Sequence, residues 1–320
     1  MSFNFSLKSH VSSIQWDTLY DFITIGGGPA SLNAALYAKR KGLKTLLIAK
    51  KLGGNLLNTD SVENYLGFTY LSGEGLAEQF ENHLKHLNVD ILKDVQVKSL
   101  LKKNDEFEIT LEDGKVLRSK TVNLSTGSNP RPLGVEGEER FKNSGVAYCA
   151  ICDAPLFKGK DVVIAGGGNS AVEAALDVAK YAKQVTLVHR SQLRADAILI
   201  ERLKECANVQ IDLETQILRL EGQSKLETVV ALDKARHTEK HYKVDGIFIE
   251  IGSIPNSDLV KDWVDLNERA EVIVDSHQQT SISGLFASGD VTEIPIKQII
   301  LAVADGAKAA LGASEYIHTH

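Results

Sequence analysis

Cys149 and Cys152 stand two residues apart in YCAICDAP, and Asp153 follows at once. Such a pair serves half of a zinc site, a structural disulfide, or a dithiol that opens and closes during catalysis. Zinc takes about four ligands at recognised spacings, and the chain offers no second CxxC. His83 and His86 form an HxxH on an expected helix with no cysteine close in sequence, so they read as solvent-facing. Three cysteines cannot form a secreted disulfide framework, and a reducing cytosol would not maintain an idle bridge. The redox reading therefore leads. Two intervening residues suit it, because a mixed disulfide at one sulfur can be resolved by the other without large backbone motion. A helix start at the pair would also lower a thiol pKa through its amides. Asp153 is a candidate acid for a leaving thiolate, and equally an ordinary helix N-terminal aspartate. Cys206, alone in KECANV, is expected to be a buried structural thiol.

The elements around this pair repeat. YDFITI (Tyr20 to Ile25) is rich in β-branched and aromatic residues; GGGPAS and then LNAALYAKRKGLKTLLIA follow it. Asp161 to Ala165, GGGNSA and VEAALDVAKYAKQVTLVHR give the same order of strand, tight turn, helix and strand. Two βαβ units are expected, with Gly26 and Gly166 lying 140 positions apart. Glycines in such a turn let the main chain approach a pyrophosphate, which rests on the positive end of the following helix. Gly26 and Gly28, followed by Pro29 and Ala30, form one turn; Gly166 and Gly168, followed by Asn169 and Ser170, form the other. Ser31 occupies the third glycine place of the first, where it makes the helix-to-strand contact slightly bulkier and weakens the match, and Ala171, an accepted variant, occupies that of the second. Two dinucleotide sites in one chain point to a flavin enzyme drawing on a nicotinamide.

Composition sets the class. The chain has 320 residues, 43% hydrophobic and 24% charged, with six prolines, as a two-domain globular protein would. The opening MSFNFSLKSHVSSIQW lacks a signal-peptide core, and no apolar run reaches membrane-spanning length. A cytoplasmic protein is expected. The formal charge of −6 with no basic cluster speaks against nucleic acid and anionic membranes as partners. No metal is expected.

From Tyr20 to Ile317 the chain resembles the low-molecular-weight thioredoxin reductases, and within them the flavoprotein core of alkyl hydroperoxide reductase. The segments that carry the likeness are YCAICDAPLFKGK, GGGNSAVEAALDVA and FASGDVTEIPIKQIILAVADGAKAAL. The resemblance implies an α/β fold of two Rossmann-like doubly wound domains, the nicotinamide domain inserted into the FAD domain. The FAD domain would take 1–127 and 256–320, and the NAD(P)H domain 128–255, with connecting strands near Arg131 and Gly252 to Pro255. It further implies that Gly289 and Asp290 hold the ribityl chain and that Lys297 and Gln298 face the isoalloxazine. LGGNLLNTDSVENYLGF would be another flavin loop, bringing Gly54, Asn55, Thr59 and Asn64; STGSNPR would bring Thr126 and Gly127.

The mechanism implied by the resemblance runs from nicotinamide to flavin N5 and then into the disulfide. Cys152 would lie beside flavin C4a, Cys149 would attack the partner, and Asp153 would protonate. After the second strand of the second unit, VTLVHRSQLRAD puts His189, Arg190 and Arg194 where a 2'-phosphate would rest, which favours NADPH over NADH. The chain departs from the family pattern at Ser191, at Lys50 and Lys51 where an acid is usual, and at Ala154 where glycine is usual. About twenty residues precede the first strand, so the acceptor is expected to be a separate thioredoxin or another thioredoxin-fold protein, and the enzyme a homodimer. A glutaredoxin-like or peroxiredoxin-linked carrier, and a relative fed by ferredoxin or another flavin, are the rival readings.

Overall fold

A computed structural model describes residues 14–59 and 62–319. The role of Met1 to Thr18, left open by the sequence, falls largely outside the described residues. The chain divides into two compact units, one of Met1–Thr59, Leu71–Ser128 and Pro255–His320, the other of Asp60–Tyr70 and Asn129–Ile254.

The first unit starts with strand β1 (Leu19–Ile25), helix α1 (Pro29–Arg40), β2 (Thr45–Ala49), helix α2 (Gly73–His86) and β3 (Asp90–Lys93). β4 (Val97–Lys103), β5 (Glu106–Leu111) and β6 (Val116–Leu124) complete its first pass. β1 and β2 are buried along nearly their whole length, as parallel strands covered on both faces must be. The sheet runs β3-β2-β1-β6-β5-β4, parallel from β3 to β6 and antiparallel beyond. Helix α1 begins on Gly28 with proline in its first turn, where a missing N–H costs nothing, and ends on Lys39 and Arg40, which suit the negative helix end.

Strand β7 (Ser128–Pro130) leads into the second unit. There follow β8 (Val146–Ala147), α3 (Ala150–Asp153), β9 (Asp161–Ala165), α4 (Asn169–Ala179), β10 (Gln184–Val188), α5 (Ala197–Glu205) and β11 (Val209–Asp212). An antiparallel sheet of β12 (Thr215–Glu221), β13 (Thr228–Asp233) and β14 (Thr238–Lys243) precedes β15 (Gly246–Ile249) and β16 (Ser253–Pro255). The parallel sheet has the order β11-β10-β9-β15-β8. Its core packs Val162, Ile164, Val172, Val178, Leu187 and Phe248.

β16 pairs with β7, and the chain returns to the first unit through β17 (Leu285–Ala287), which adds to β6, and the long helix α6 (Ile299–Thr319). α6 lies close on α1 because both present small residues: Ala34, Ala38, Ala309, Ala310 and Ala313 are fully buried together. Gly306 is the tightest point, since a Cβ there would lie 2.0 Å from the Ala30 carbonyl oxygen. Both units are therefore of the doubly wound α/β kind expected from the paired glycine turns. No helix among the described residues is long and apolar enough to cross a membrane.

Candidate functional site

The first glycine turn is clamped from two sides. A Cβ on Gly26 (φ +136°) would lie 2.1 Å from the Ser125 oxygen, and one on Gly27 would lie 1.9 Å from the Lys51 oxygen. Gly28 is open instead, with nothing within 4 Å of its Cβ position, and it starts the twelve-residue α1 without a side-chain cap. The outward amides of that first turn are left for an anion. Gly54 (φ +54°) closes on the same spot, its Cβ position 2.8 Å from Gly28 Cα, while Gly53 N–H donates to the Gly27 oxygen at 2.8 Å. Gly289 meets Ala30, its Cβ position 2.9 Å from the Ala30 Cβ. The fold thus gathers Gly26, Gly28, Pro29, Ala30, Gly54 and Gly289 around one helix start.

Neighbouring residues frame this cradle. Burial pushes the half-buried Asp290 carboxyl up, with Lys297 opposing and Asp305 adding to the rise. Lys297 Nζ donates to the Asp290 and Thr292 oxygens at 3.0 and 3.2 Å and pairs with Glu271 at 3.1 Å. The Gln298 oxygen accepts from Ala302 N–H and so opens α6. Asn55 donates to the Ser128 oxygen at 2.9 Å, Thr126 Oγ1 donates to the Asn256 oxygen at 2.6 Å, and Asn256 N–H donates to Gly127. Thr59 accepts from Gly73 N–H. Asn64 lies in Asp60–Tyr70, which groups with the second unit.

Ser31, in the third glycine place, is fully buried and shares a 3.0 Å hydrogen bond with Thr24. Asn123 donates to Thr24 and to Ser125, Ser125 bonds Ser288 at 2.9 Å, and Ser288 donates back to Asn123. This buried chain ties β1, α1, β6 and the end of β17 beneath the turn. Buried polar groups stay cheap only when satisfied in this way. No motif marks such a network in sequence.

The second turn repeats the design with different walls. A Cβ on Gly166 would lie 2.3 Å from the Glu250 oxygen, and one on Gly167 would lie 2.4 Å from the His189 ring. Gly168 is open and begins α4. Asn169 and Asp196 bond reciprocally, the amide to Oδ2 at 3.0 Å and Asp196 N–H to Oδ1 at 2.8 Å, which moors the loop after β10. Ser170 beside it is exposed. Arg194 N–H donates to the Gly167 oxygen at 2.7 Å. His189 is buried and bonds Ser191 at 3.1 Å; burial, and then the charges of Arg194, Arg190 and Lys234, push its imidazole below the usual histidine range. Lys234, whose Nζ donates to the Arg190 oxygen at 3.3 Å, is a cation the sequence reading missed. It comes from the β13 to β14 turn, far along the chain.

Cys149 caps α3 with extended backbone, and Cys152 follows one turn later, the two joined as a disulfide with 5.3 Å between Cα atoms. Both sulfur residues and Asp153 are half-buried, and Ile151 between the cysteines is 57% exposed. Asp153 N–H donates to the Cys149 oxygen at 3.0 Å, closing the helical turn. Ala154, the departure from glycine, is buried in the core of this unit. Cys206 is half-buried at the end of α5, where Sγ meets the Arg202 oxygen at 3.5 Å, so it is a helix-end thiol rather than a core one. His83 and His86 are exposed on α2. His237 and His241 have an HxxxH spacing, but His241 faces Glu239 at 3.6 Å, and no metal-binding group of three gathers among the described residues.

Residues 20–306 match the family described as pyridine nucleotide-disulphide oxidoreductase. The chain is 42% identical over 299 residues to an NADH dehydrogenase of Bacillus subtilis (strain 168), covering 93% of this chain and 58% of that protein. It is 44% identical over 304 residues to an alkyl hydroperoxide reductase subunit of Pseudomonas putida, again 93% and 58%. The chain spans less than two thirds of the length of these curated relatives. Among solved structures it is similar to thioredoxin reductase from Streptococcus pyogenes MGAS5005, with 36% identity, a TM-score of 0.87, and 94% and 99% of the two chains covered. Thioredoxin reductase from Giardia duodenalis gives 28% identity and a TM-score of 0.85, over 93% and 99%. Two open glycine turns, each at a helix start with no side chain over it, fit dinucleotides, and the cofactors are FAD and a pyridine nucleotide. The chain belongs to the pyridine nucleotide-disulphide oxidoreductase family.

Proposed function

We propose that the chain is an FAD-dependent disulfide reductase that passes electrons from NADPH through the Cys149/Cys152 dithiol to a separate thioredoxin-like protein. The observation that carries the reading is the paired disulfide on α3, in the same unit as the second open glycine turn. FAD, when bound, supplies a two-electron relay between a nicotinamide and a disulfide. The residues 1–127 and 256–320 are assigned to it, with Gly26, Gly28, Gly54 and the α1 amides holding the pyrophosphate and Asp290 the ribityl chain. Residues 128–255 are assigned to the nicotinamide.

Within that unit Cys149, at the helix cap, is the sulfur that attacks the partner's disulfide, and Cys152 resolves the mixed disulfide. Their spacing makes the second attack intramolecular. Asp153 is positioned one residue on to deliver a proton. Ile151, between the two cysteines, is 57% exposed, which supports a surface position for the disulfide turn. The family resemblance supports a homodimer working in the cytoplasm.

The donor assignment rests on the end of β10, where His189 and Arg190 stand in place of the acid that would hold a free ribose, and Arg194 and Lys234 add charge. NADH is the second reading, favoured by relatives named NADH dehydrogenase. Anaerobic titration with each nucleotide separates the two, by flavin bleaching. The Cys149→Ser, Cys152→Ser double variant then keeps bleaching and loses reduction of thioredoxin. If neither nucleotide bleaches the flavin, the donor assignment is wrong; if the double variant still reduces thioredoxin, the dithiol assignment is wrong.

A further inference from the structure

Glu250 follows β15 directly, and its main chain is built into the second glycine turn: its N–H donates to the Ala165 oxygen at 2.8 Å, and its own oxygen is what forbids a Cβ on Gly166. Its side chain turns to α3. Oε1 accepts from Ala150 N–H at 3.3 Å, the first amide of the helix that carries the disulfide. Ala150 is itself buried, next to the N-cap Cys149. A carboxylate therefore holds an amide that would otherwise stabilise a thiolate. The sequence reading expected that amide to lower a thiol pKa, and the contact opposes this.

Beside Glu250, Arg131 N–H donates to the Gly252 oxygen at 2.9 Å and the His189 ring packs on Gly167. α3 and its cap bring Cys149, Cys152 and Asp153; Tyr148, just before the cap, gives its hydroxyl to Glu138 at 2.8 Å. The turn of Gly166 to Gly168 and the strand Val146–Ala147 bring no charged or titratable side chain of their own. No cation is among the causes that act on the carboxyl: burial raises it to about 7, opposed by the Ala150 N–H.

We propose that Glu250 is a positioning residue for the Cys149/Cys152 dithiol, accepting a proton as the disulfide opens and returning it as the disulfide forms. The inference rests on the dithiol reading above. With a dithiol reductant the step balances. The reductant's two sulfurs join in a new disulfide and release two electrons and two protons, and the Cys149–Cys152 bond breaks. One proton goes to one cysteine sulfur and the other to Glu250, while the second sulfur stays a thiolate. The negative charge moves from carboxylate to sulfur, so two like charges never share the head of α3.

The test uses the full chain carrying Cys206→Ser, reduced with dithiothreitol. Thiol counting comes first, and two thiols gained per chain uphold the dithiol reading. None gained would overturn that reading and this one with it. Redox-difference infrared spectra then report a protonated carboxyl C=O band that appears on reduction near neutral pH, is absent in Glu250→Gln, and persists in Asp153→Asn. Iodoacetamide alkylation across pH gives the second readout. In the parent the profile carries a second, alkaline inflection where Glu250 itself ionises beside the thiolate, and in Glu250→Gln, which has no proton to lose there, that inflection is absent. Two thiols gained with no carboxyl band in the parent protein, or a band that vanishes only in Asp153→Asn, would overturn the role of Glu250. The infrared test on the parent protein stands even if Glu250→Gln fails to fold.

Discussion

Replacing Gly54 by alanine tests whether the two glycine loops meet as described. Gly54 has φ +54°, where a side chain costs about 1 kcal/mol. The added Cβ would lie 2.8 Å from Gly28 Cα and 3.2 Å from Gly28 N, well inside van der Waals contact. Neither neighbour is a flexible side chain, so backbone must move, at a cost of ~1–3 kcal/mol for overpacking. Gly28 carries the amide end of α1 offered to the pyrophosphate, so this part of the cost falls on FAD affinity. At ~1.4 kcal/mol per factor of ten, binding weakens on the order of tenfold to a hundredfold. Gly42→Ala is the control: φ is +81° and nothing lies within 4 Å, so only the backbone cost applies. The assay is FAD binding to apoprotein by flavin fluorescence, with thermal unfolding alongside. If Gly54→Ala binds FAD within about twofold of the parent, as Gly42→Ala should, the contact with Gly28 does not set the site.

Other outcomes follow from single contacts. Lys234→Met should raise KM for NADPH about tenfold and leave that for NADH unchanged, since a 2'-phosphate loses one charged donor worth ~1.5 kcal/mol; equal shifts for both nucleotides would remove Lys234 from the phosphate site. Ser31→Ala strips one partner from buried Thr24 and should cost ~1 kcal/mol, seen as a Tm lower by a few degrees; an unchanged Tm would mean the network closes without it. Glu250→Gln should alter the pH dependence of stability. An acid raised from 4.5 to about 7 in the folded chain holds its proton where the unfolded chain has released it. Stability is therefore lost as pH rises between those values, on the order of a few kcal/mol in total. The variant lacks this slope, and its Tm should gain on the parent's from pH 4.5 to 7; parallel curves would refute the shift.

The local code for both nucleotide turns was legible because it depends on neighbours in sequence. A strand of β-branched residues, three glycines and an alanine-rich helix specify a turn whose backbone must come close to something, and β1, α1, β9 and α4 appear where that code puts them. Cys149 and Cys152 were legible for the same reason, since one helical turn spans them. What the sequence could not reveal is which distant backbone each glycine must avoid. Gly26 meets Ser125, Gly54 meets Gly28, Gly166 meets Glu250 and Gly306 meets Ala30, all through contacts that only sheet order and helix packing create.

Polar side chains show the difference most clearly. Ser31 read as bulky for its place because its partner Thr24 belongs to a network completed by Asn123 and Ser125 from one distant stretch of chain and Ser288 from another. Lys234 and Glu250 carry no motif, for a lone lysine in a hairpin and a glutamate after a strand are ordinary in sequence. Their significance arises from position: one arrives beside Arg190, the other takes the first amide of the disulfide helix. The sequence by itself determined the chemistry available, two dinucleotide turns and a dithiol, because each is built within a few residues. Tertiary structure alone decided the charges around them, because electrostatics depends on distance through space and on burial, and neither follows from separation along the chain.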